Sequence, residues 1–184
     1  MRAATDYVAA NGFAELSMRP LAAGIGVTHA TLLHHFGSKD ALLSEILHEL
    51  RERDRLLIAA QGAALGEGPG LEEAIRLAWR HLSAPSYRGY WRLVFGAYGM
   101  AVADPRRFER FLDGAVTDWI ALSSAQLEAA GVTAGRRAAL ATLVVGAFRG
   151  ILLDLLMTGD RERGGAAIEW LAGAVAREAG AVAR

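Results

Sequence analysis

Apolar residues recur every three or four positions along most of this chain, which is the spacing of one face of an α-helix. Between residues 17 and 43, two short stripes of this kind are separated by Gly26. Ser17 precedes the first stripe, and Thr28 precedes the second, which ends at Phe36. Serine and threonine are favoured N-caps, and glycine tolerates the backbone conformation that reverses a chain. The pattern therefore predicts a helix-turn-helix, with a third helix after it.

The rest of the chain also has helical spacing, with no long period-two alternation and no hairpin signal. A long helix is predicted from Ser38 to about Ala64, and the glycine cluster at 66–70 is predicted to be a helix connection rather than a phosphate loop. Asp104 and Pro105 suit the N-cap and first residue of a further helix. The predicted helices of this region span 71–84, 86–103, 104–130, 134–157 and 165–179. We predict an all-α fold in which a long helix joins a three-helix head to a helical body.

The segment 138–157 is nearly all apolar and long enough to span a membrane. We reject that interpretation because Arg149 and Asp154 lie within it and no second such segment exists. A soluble helix that is apolar nearly all round needs cover on every side, so we expect a second copy of the chain to pack on it. Two helices from each subunit would form this four-helix interface. The residues predicted to line it are Ala139, Thr142, Gly146, Gly150, Leu153, Ile168, Leu171 and Val175.

Composition sets the class of protein. The 184 residues are 53% hydrophobic and include no cysteine, which suits a globular protein of a reducing cytoplasm without disulfides or thiolate metal sites. The N-terminus has no secretory leader pattern, which also favours the cytoplasm. Formal net charge is zero, so any affinity for DNA must come from the placement of cations rather than from their sum. Lys39, the only lysine, directly follows the second stripe.

The aromatic residues of the body have two interpretations. Aromatic side chains at helical spacing usually fill a core, but together with Met100 they could also line an apolar chamber for a ligand. Histidines 29, 34, 35 and 48 do not have the spacing of a zinc site, and no cysteine or suitable carboxylate completes a ligand set. No motif of a hydrolase, protease or other catalytic centre is present, so we expect no enzyme and no cofactor.

The run from Gly26 to Phe36, GVTHATLLHHF, followed by SKDALL from Ser38, resembles the DNA-binding domain of the tetracycline-repressor (TetR) family of bacterial transcription regulators. The resemblance is strong over about the first fifty residues. It implies a DNA-binding domain at 1–47 and a ligand-binding and dimerisation domain at 48–184. The residues that it places at the DNA are Arg19, Thr28, His29, Thr31, Leu33, His34, His35 and Lys39.

Three features depart from the family pattern. The family usually has lysine or arginine at the position of His29, and an aromatic residue at those of Leu33 and His35. Each change weakens a phosphate contact, because histidine brings less positive charge than lysine or arginine, and leucine has no hydroxyl group such as that of tyrosine. The chain also begins late at Met1, so either translation starts upstream or the first helix is shortened.

The resemblance favours the chamber interpretation for the aromatic residues, and it implies a largely apolar or aromatic effector. The residues predicted to line the chamber are Trp79, Leu82, Trp91, Phe95, Tyr98, Phe111, Trp119, Ser123 and Phe148. The function expected is that of a homodimeric, ligand-responsive repressor that binds a palindromic double-stranded DNA operator. The alternative is a helical small-molecule binding protein that no longer recognises DNA.

Overall fold

A computed structural model of the chain describes residues 2–11, 17–63, 70–106 and 108–180, which are mostly helical and contain no β-strand. The helices are α1 (Arg2–Asn11), α2 (Met18–Gly24), α3 (His29–Phe36), α4 (Lys39–Ala63), α5 (Leu71–Leu82), α6 (Arg88–Ala103), α7 (Glu109–Leu112), α8 (Thr117–Ala129), α9 (Ala134–Thr158) and α10 (Arg161–Gly180), with a 3-10 turn at Pro85–Tyr87. The predicted all-α fold is confirmed. Most of the predicted connection at 66–70 lies outside the described residues.

The chain divides into two compact units. The first consists of Met1–Arg53 and Ser86–Ala115, and the second of Asp54–Pro85 and Val116–Arg184. The first unit therefore contains α1 to α3, the beginning of α4, and helices α6 and α7. The predicted functional boundary between residues 47 and 48 stays a prediction, because compactness alone does not show which residues bind DNA.

In the first unit, α1 packs on both α2 and α6, and α2 packs on α3. The close approach of α1 and α2 depends on Gly24, since a Cβ atom there would lie 2.3 Å from the Tyr7 ring. Arg53 pairs with Asp6 and Glu49, which adds an ionic link between α1 and α4. These contacts fix the position of the helix-turn-helix within the first unit.

The predicted single helix from 104 to 130 is wrong. Residues 104–106 are not helical, α7 is a short helix, and α8 starts only at Thr117. Gly114 has φ +68° and turns the chain between α7 and α8. Phe108, Phe111 and Ala115 are almost completely buried. The chain therefore turns within a segment that is anchored in the core on both sides of Gly114.

In the second unit, α10 packs on α5 and α9, and α8 packs on α9. Gly164 allows α10 to approach α5 closely, because a Cβ atom there would lie 2.9 Å from Cη2 of Trp79. Helix α10 also begins four residues earlier than the predicted position 165. The Oδ1 atom of Asp160 accepts a hydrogen bond from the backbone N–H of Arg163 at 2.9 Å, which caps the added turn.

Candidate nucleic-acid interface

Helix α3 packs against the rest of the first unit along one face, and its other faces are exposed. Leu32 is buried and Phe36 is half-buried, whereas the remaining residues of α3 are exposed. All the residues predicted to contact DNA are exposed: Arg19, Thr28, His29, Thr31, Leu33, His34, His35 and Lys39. The helix can therefore present polar side chains to a groove without any change in the fold.

The start and end of α3 are fixed by local interactions. Thr28 Oγ1 accepts a hydrogen bond from the backbone N–H of Thr31 at 3.0 Å, as the predicted N-cap requires. The two threonine hydroxyl groups also share a hydrogen bond at 2.8 Å, which orients both on the exposed side of the helix. Gly37, with φ +74°, ends the helix. Ser38 Oγ then accepts from the backbone N–H of Ala41 at 3.1 Å at the start of α4.

The turn before α3 corrects two details. The backbone N–H of Val27 bonds to the carbonyl of Ala22 at 2.9 Å, and Gly26 has φ +75°, as expected for a chain reversal. The Val27 side chain is exposed, so it does not fill the gap between α2 and α3. Ser17 occupies the N-cap position of α2, but its side chain makes no capping hydrogen bond.

The charged side chains of residues 17–39, the segment that contains α2 and α3, are all basic. Residues 17–39 contain Arg19 and Lys39 and three histidines, and they contain no aspartate or glutamate. Arg19 lies in the first turn of α2, and Lys39 is the first residue of α4. The zero net charge of the chain thus hides a segment whose charged side chains are all basic, and phosphate groups favour such a segment and its helix N-termini.

The predicted ligand-lining residues fall in both compact units. In the first unit, Trp91, Phe95, Tyr98 and Phe111 form a continuous row of ring contacts, with centroids 5.8, 6.1 and 5.5 Å apart. The Tyr98 hydroxyl donates to the carbonyl of Ala115 at 3.2 Å. In the second unit, Trp79, Leu82 and Phe148 are buried, and Trp119 and Ser123 are half-buried. Core packing and ligand contact both suit this arrangement, so the chamber stays a prediction.

The predicted dimer residues separate into two groups. Ala139, Thr142, Gly146, Gly150 and Leu153 lie exposed along α9. Ile168 and Val175 are instead buried within the chain, where α10 packs on α5 and α9, and Leu171 is half-buried. Side chains already covered by their own chain have no surface left for a partner, so the proposed seam narrows to α9 and the outer side of α10. Trp170, which the prediction omitted, is 76% exposed on α10.

Sequence reasoning also missed Arg51. Arg51 begins the charged run 51–55, and charged side chains are mostly exposed in proteins, yet Arg51 is only 3% exposed. Its Nη2 atom donates to His48 Nδ1 and to the carbonyl of Asp113, both at 3.1 Å. No sequence signal distinguishes this arginine from the charged residues that follow it, because its burial depends on α7, which is distant in sequence.

Comparison with known proteins agrees with this geometry. Residues 1–46 match the family model of bacterial regulatory proteins, tetR family. No curated protein matches the chain in sequence. A solved structure assigned to the TetR-family transcriptional regulators, from Mesorhizobium loti MAFF303099, is similar with a TM-score of 0.70 and 20% identity, over 98% of this chain and 93% of that one. A transcriptional regulator from Rhodococcus sp. Rha1 is similar with a TM-score of 0.72 and 20% identity, over 96% and 93%.

Proposed function

We propose that this chain, whose residues 1–46 match the family model of bacterial regulatory proteins, tetR family, is a dimeric repressor released from DNA by a small effector. The observation that carries the proposal is the exposed surface of α3 in a segment without carboxylates. Cations at Arg19 and Lys39 would bind phosphates and fix the position of α3. Side chains such as Thr31 and His34 would then read base edges in the major groove.

The dimer is supported by the exposed apolar surface of α9. Only 28% of the most apolar window of this helix is buried within the chain, although by length and composition it could cross a membrane. Arg149 and Asp154 lie on this helix, and Asp154 pairs with Arg163 at 2.6 Å. A second copy of the chain would cover the surface without placing these charges in lipid. Two copies of α3 would then meet successive major grooves, about 34–36 Å apart, on a palindromic operator.

The effector would act by changing that separation. A ligand shifts an equilibrium only if it binds one arrangement better than the other. The aromatic residues proposed as its site suit a largely apolar or aromatic molecule. In the ligand-bound arrangement, the two copies of α3 would no longer match the spacing of the grooves, and the operator would be released.

A second candidate function is that of a helical binding protein without DNA recognition. It is favoured by His29 and Leu33, which replace the cation and the aromatic residue usual at these family positions. Selection of bound sequences from a random DNA library with the purified dimer separates the two functions. Enrichment of a palindromic site supports the regulator, and failure to enrich any site at low salt supports the alternative.

Lys39→Ala tests the interface quantitatively. A dimer would lose two phosphate contacts, so the slope of log K against log salt should fall by about 2. Extrapolated from 1 M, this corresponds to about 30-fold weaker binding at 0.15 M salt. Fluorescence anisotropy with the selected operator measures both quantities. Arg92→Ala, which removes one exposed charge from α6, is the control and should leave both unchanged.

Thr31→Ala should act differently. The N-cap of α3 survives, because Thr28 Oγ1 bonds to the backbone of residue 31 rather than to its side chain. We expect an affinity loss of about 1–3 kcal/mol per base contact, relaxed preference at one position of each half-site, and an unchanged salt slope. If both variants bind the operator like the unsubstituted protein, α3 is not the reading helix.

A further inference from the structure

Arg51 is the buried polar group that the described structure satisfies least well. Both hydrogens of Nη2 have acceptors, namely His48 Nδ1 and the carbonyl of Asp113. The Nε and Nη1 atoms are buried and have no hydrogen-bond partner. Since a guanidinium carries five N–H groups, three of them are left without an acceptor.

The charge of Arg51 is also unopposed by any ion pair shown for the described residues. Arginine stays protonated under all ordinary conditions, so burial cannot neutralise it. Buried charges are normally paired, and an unsatisfied buried donor lowers the stability of a fold. A group of this kind requires an explanation, such as a bound water, an ion or a ligand.

The surroundings of Arg51 favour an organic anion. The guanidinium carbon lies 6.0 Å from the centre of the Phe111 ring, within the range of a cation–π contact. Phe111 begins the aromatic row that continues through Tyr98, Phe95 and Trp91, all in the same compact unit. One cationic group beside a row of aromatic rings is complementary to a molecule with one negative charge and an apolar or aromatic remainder.

We propose that Arg51 binds the carboxylate of a monoanionic, otherwise apolar effector, with the aromatic row beside its apolar part. The proposal rests on the proposed function, because it names the class of molecule that would release the repressor. It makes Arg51 a specificity-determining residue. It also gives α4 a direct contact with the effector, since Arg51 and His48 both lie on that helix.

A ligand-free experiment separates binding from structure. His48 and Asp113 are both exposed, so water can replace Arg51 as their partner. Arg51→Met keeps an apolar side chain of similar length and removes the buried charge, and we expect a Tm equal to or above that of the unsubstituted protein. A Tm several degrees lower would show that Arg51 serves the fold, and would overturn the proposal.

The binding experiment compares acids with their amides. Benzoate, phenylacetate and hexanoate are titrated against benzamide, phenylacetamide and hexanamide at constant ionic strength, using the full chain and thermal unfolding. At least one acid should bind 10-fold or more tightly than its amide, and Arg51→Met should reduce that ratio to within 2-fold. The proposal is overturned if no acid exceeds its amide, or if the variant keeps the preference.

Operator binding distinguishes failure of this proposal from failure of the proposed function. Without ligand, the unsubstituted protein and Arg51→Met should bind the selected operator equally. The preferred acid should weaken operator binding only for the unsubstituted protein, because coupling between two sites is reciprocal. If neither protein prefers an acid over its amide and both bind the operator, the Arg51 site alone is overturned, whereas absence of DNA binding in both proteins overturns the repressor.

Discussion

Gly150→Leu is the substitution that best separates dimerisation from folding. Gly150 is exposed on α9, and a Cβ atom added there meets nothing within 4 Å in the single chain. The leucine side chain therefore has room in an isolated subunit. In the proposed dimer the same position lies where two copies of α9 approach closely, and the added side chain would separate them.

The two effects have opposite signs, and each can be given a magnitude. Glycine in a helix interior is less favourable than leucine by about 0.5–1 kcal/mol, so the subunit should become more stable. Overpacking a close interface costs about 1–3 kcal/mol per site, and two-fold symmetry places the residue in the interface twice. The dimer should therefore weaken by about 2–6 kcal/mol. This is roughly 30-fold to 10⁴-fold in dissociation constant.

Sedimentation velocity across a concentration series measures the dimer, and urea unfolding at low protein concentration measures the subunit. Gly99→Leu, at an exposed glycine of α6 that also has open space around its Cβ position, is the matched control. It should increase helix stability and leave the dimer constant unchanged. An unaltered dimer constant in Gly150→Leu would refute the assignment of α9 as the interface, and so would a wild-type chain that stays monomeric.

Two further predictions concern the second unit. Gly164→Ala should be less stable than Gly165→Ala by about 1–3 kcal/mol in urea unfolding, because the new Cβ atom would lie 2.9 Å from the Trp79 ring at 164 but 3.7 Å from it at 165; equal stabilities would show that the α5–α10 contact can relax. Burial lowers the pKa of His81 below its ordinary 6.5, with Asp54 Oδ1 3.9 Å from Nε2, too far for a hydrogen bond. The unfolded chain thus binds this proton more readily, so the free energy of unfolding should fall as pH drops from 7.5 to 5.5. His81→Gln should reduce that slope, and an unchanged slope would contradict the assignment.

The helix-turn-helix was predictable because its signals are local. An N-cap threonine accepts a hydrogen bond from a backbone N–H only three residues later, and a positive φ at a glycine depends only on that residue having no side chain. Thr28 and Gly37 therefore mark the start and the end of α3 in the structure, as the sequence predicts. The exposure of the side chains predicted to contact DNA follows as well, since only Leu32 and Phe36 anchor α3 on its inner side.

The segment from 104 to 130 shows where local reasoning fails. Asp104 and Pro105 form a favourable helix start, and Phe108, Phe111 and Ala115 have spacings compatible with helix. All three are nevertheless buried across a turn at Gly114. Whether burial in a turned conformation outweighs the preference for a continuous helix depends on the side chains against which the segment packs. Such a comparison requires the packing partners, which the segment itself does not contain.

The same limit applies to the predicted dimer interface, because that prediction depends on which face of each helix its own chain covers. The period of Ile168, Leu171 and Val175 predicts an apolar stripe, but it does not say whether that stripe faces its own chain or a second copy. The structure buries Ile168 and Val175 within the chain and leaves Gly146 and Gly150 exposed. Helical periodicity therefore locates surfaces, whereas tertiary packing assigns their partners. The α9 surface is apolar and uncovered in the single chain. The Gly150→Leu substitution can therefore decide whether this surface is the subunit interface.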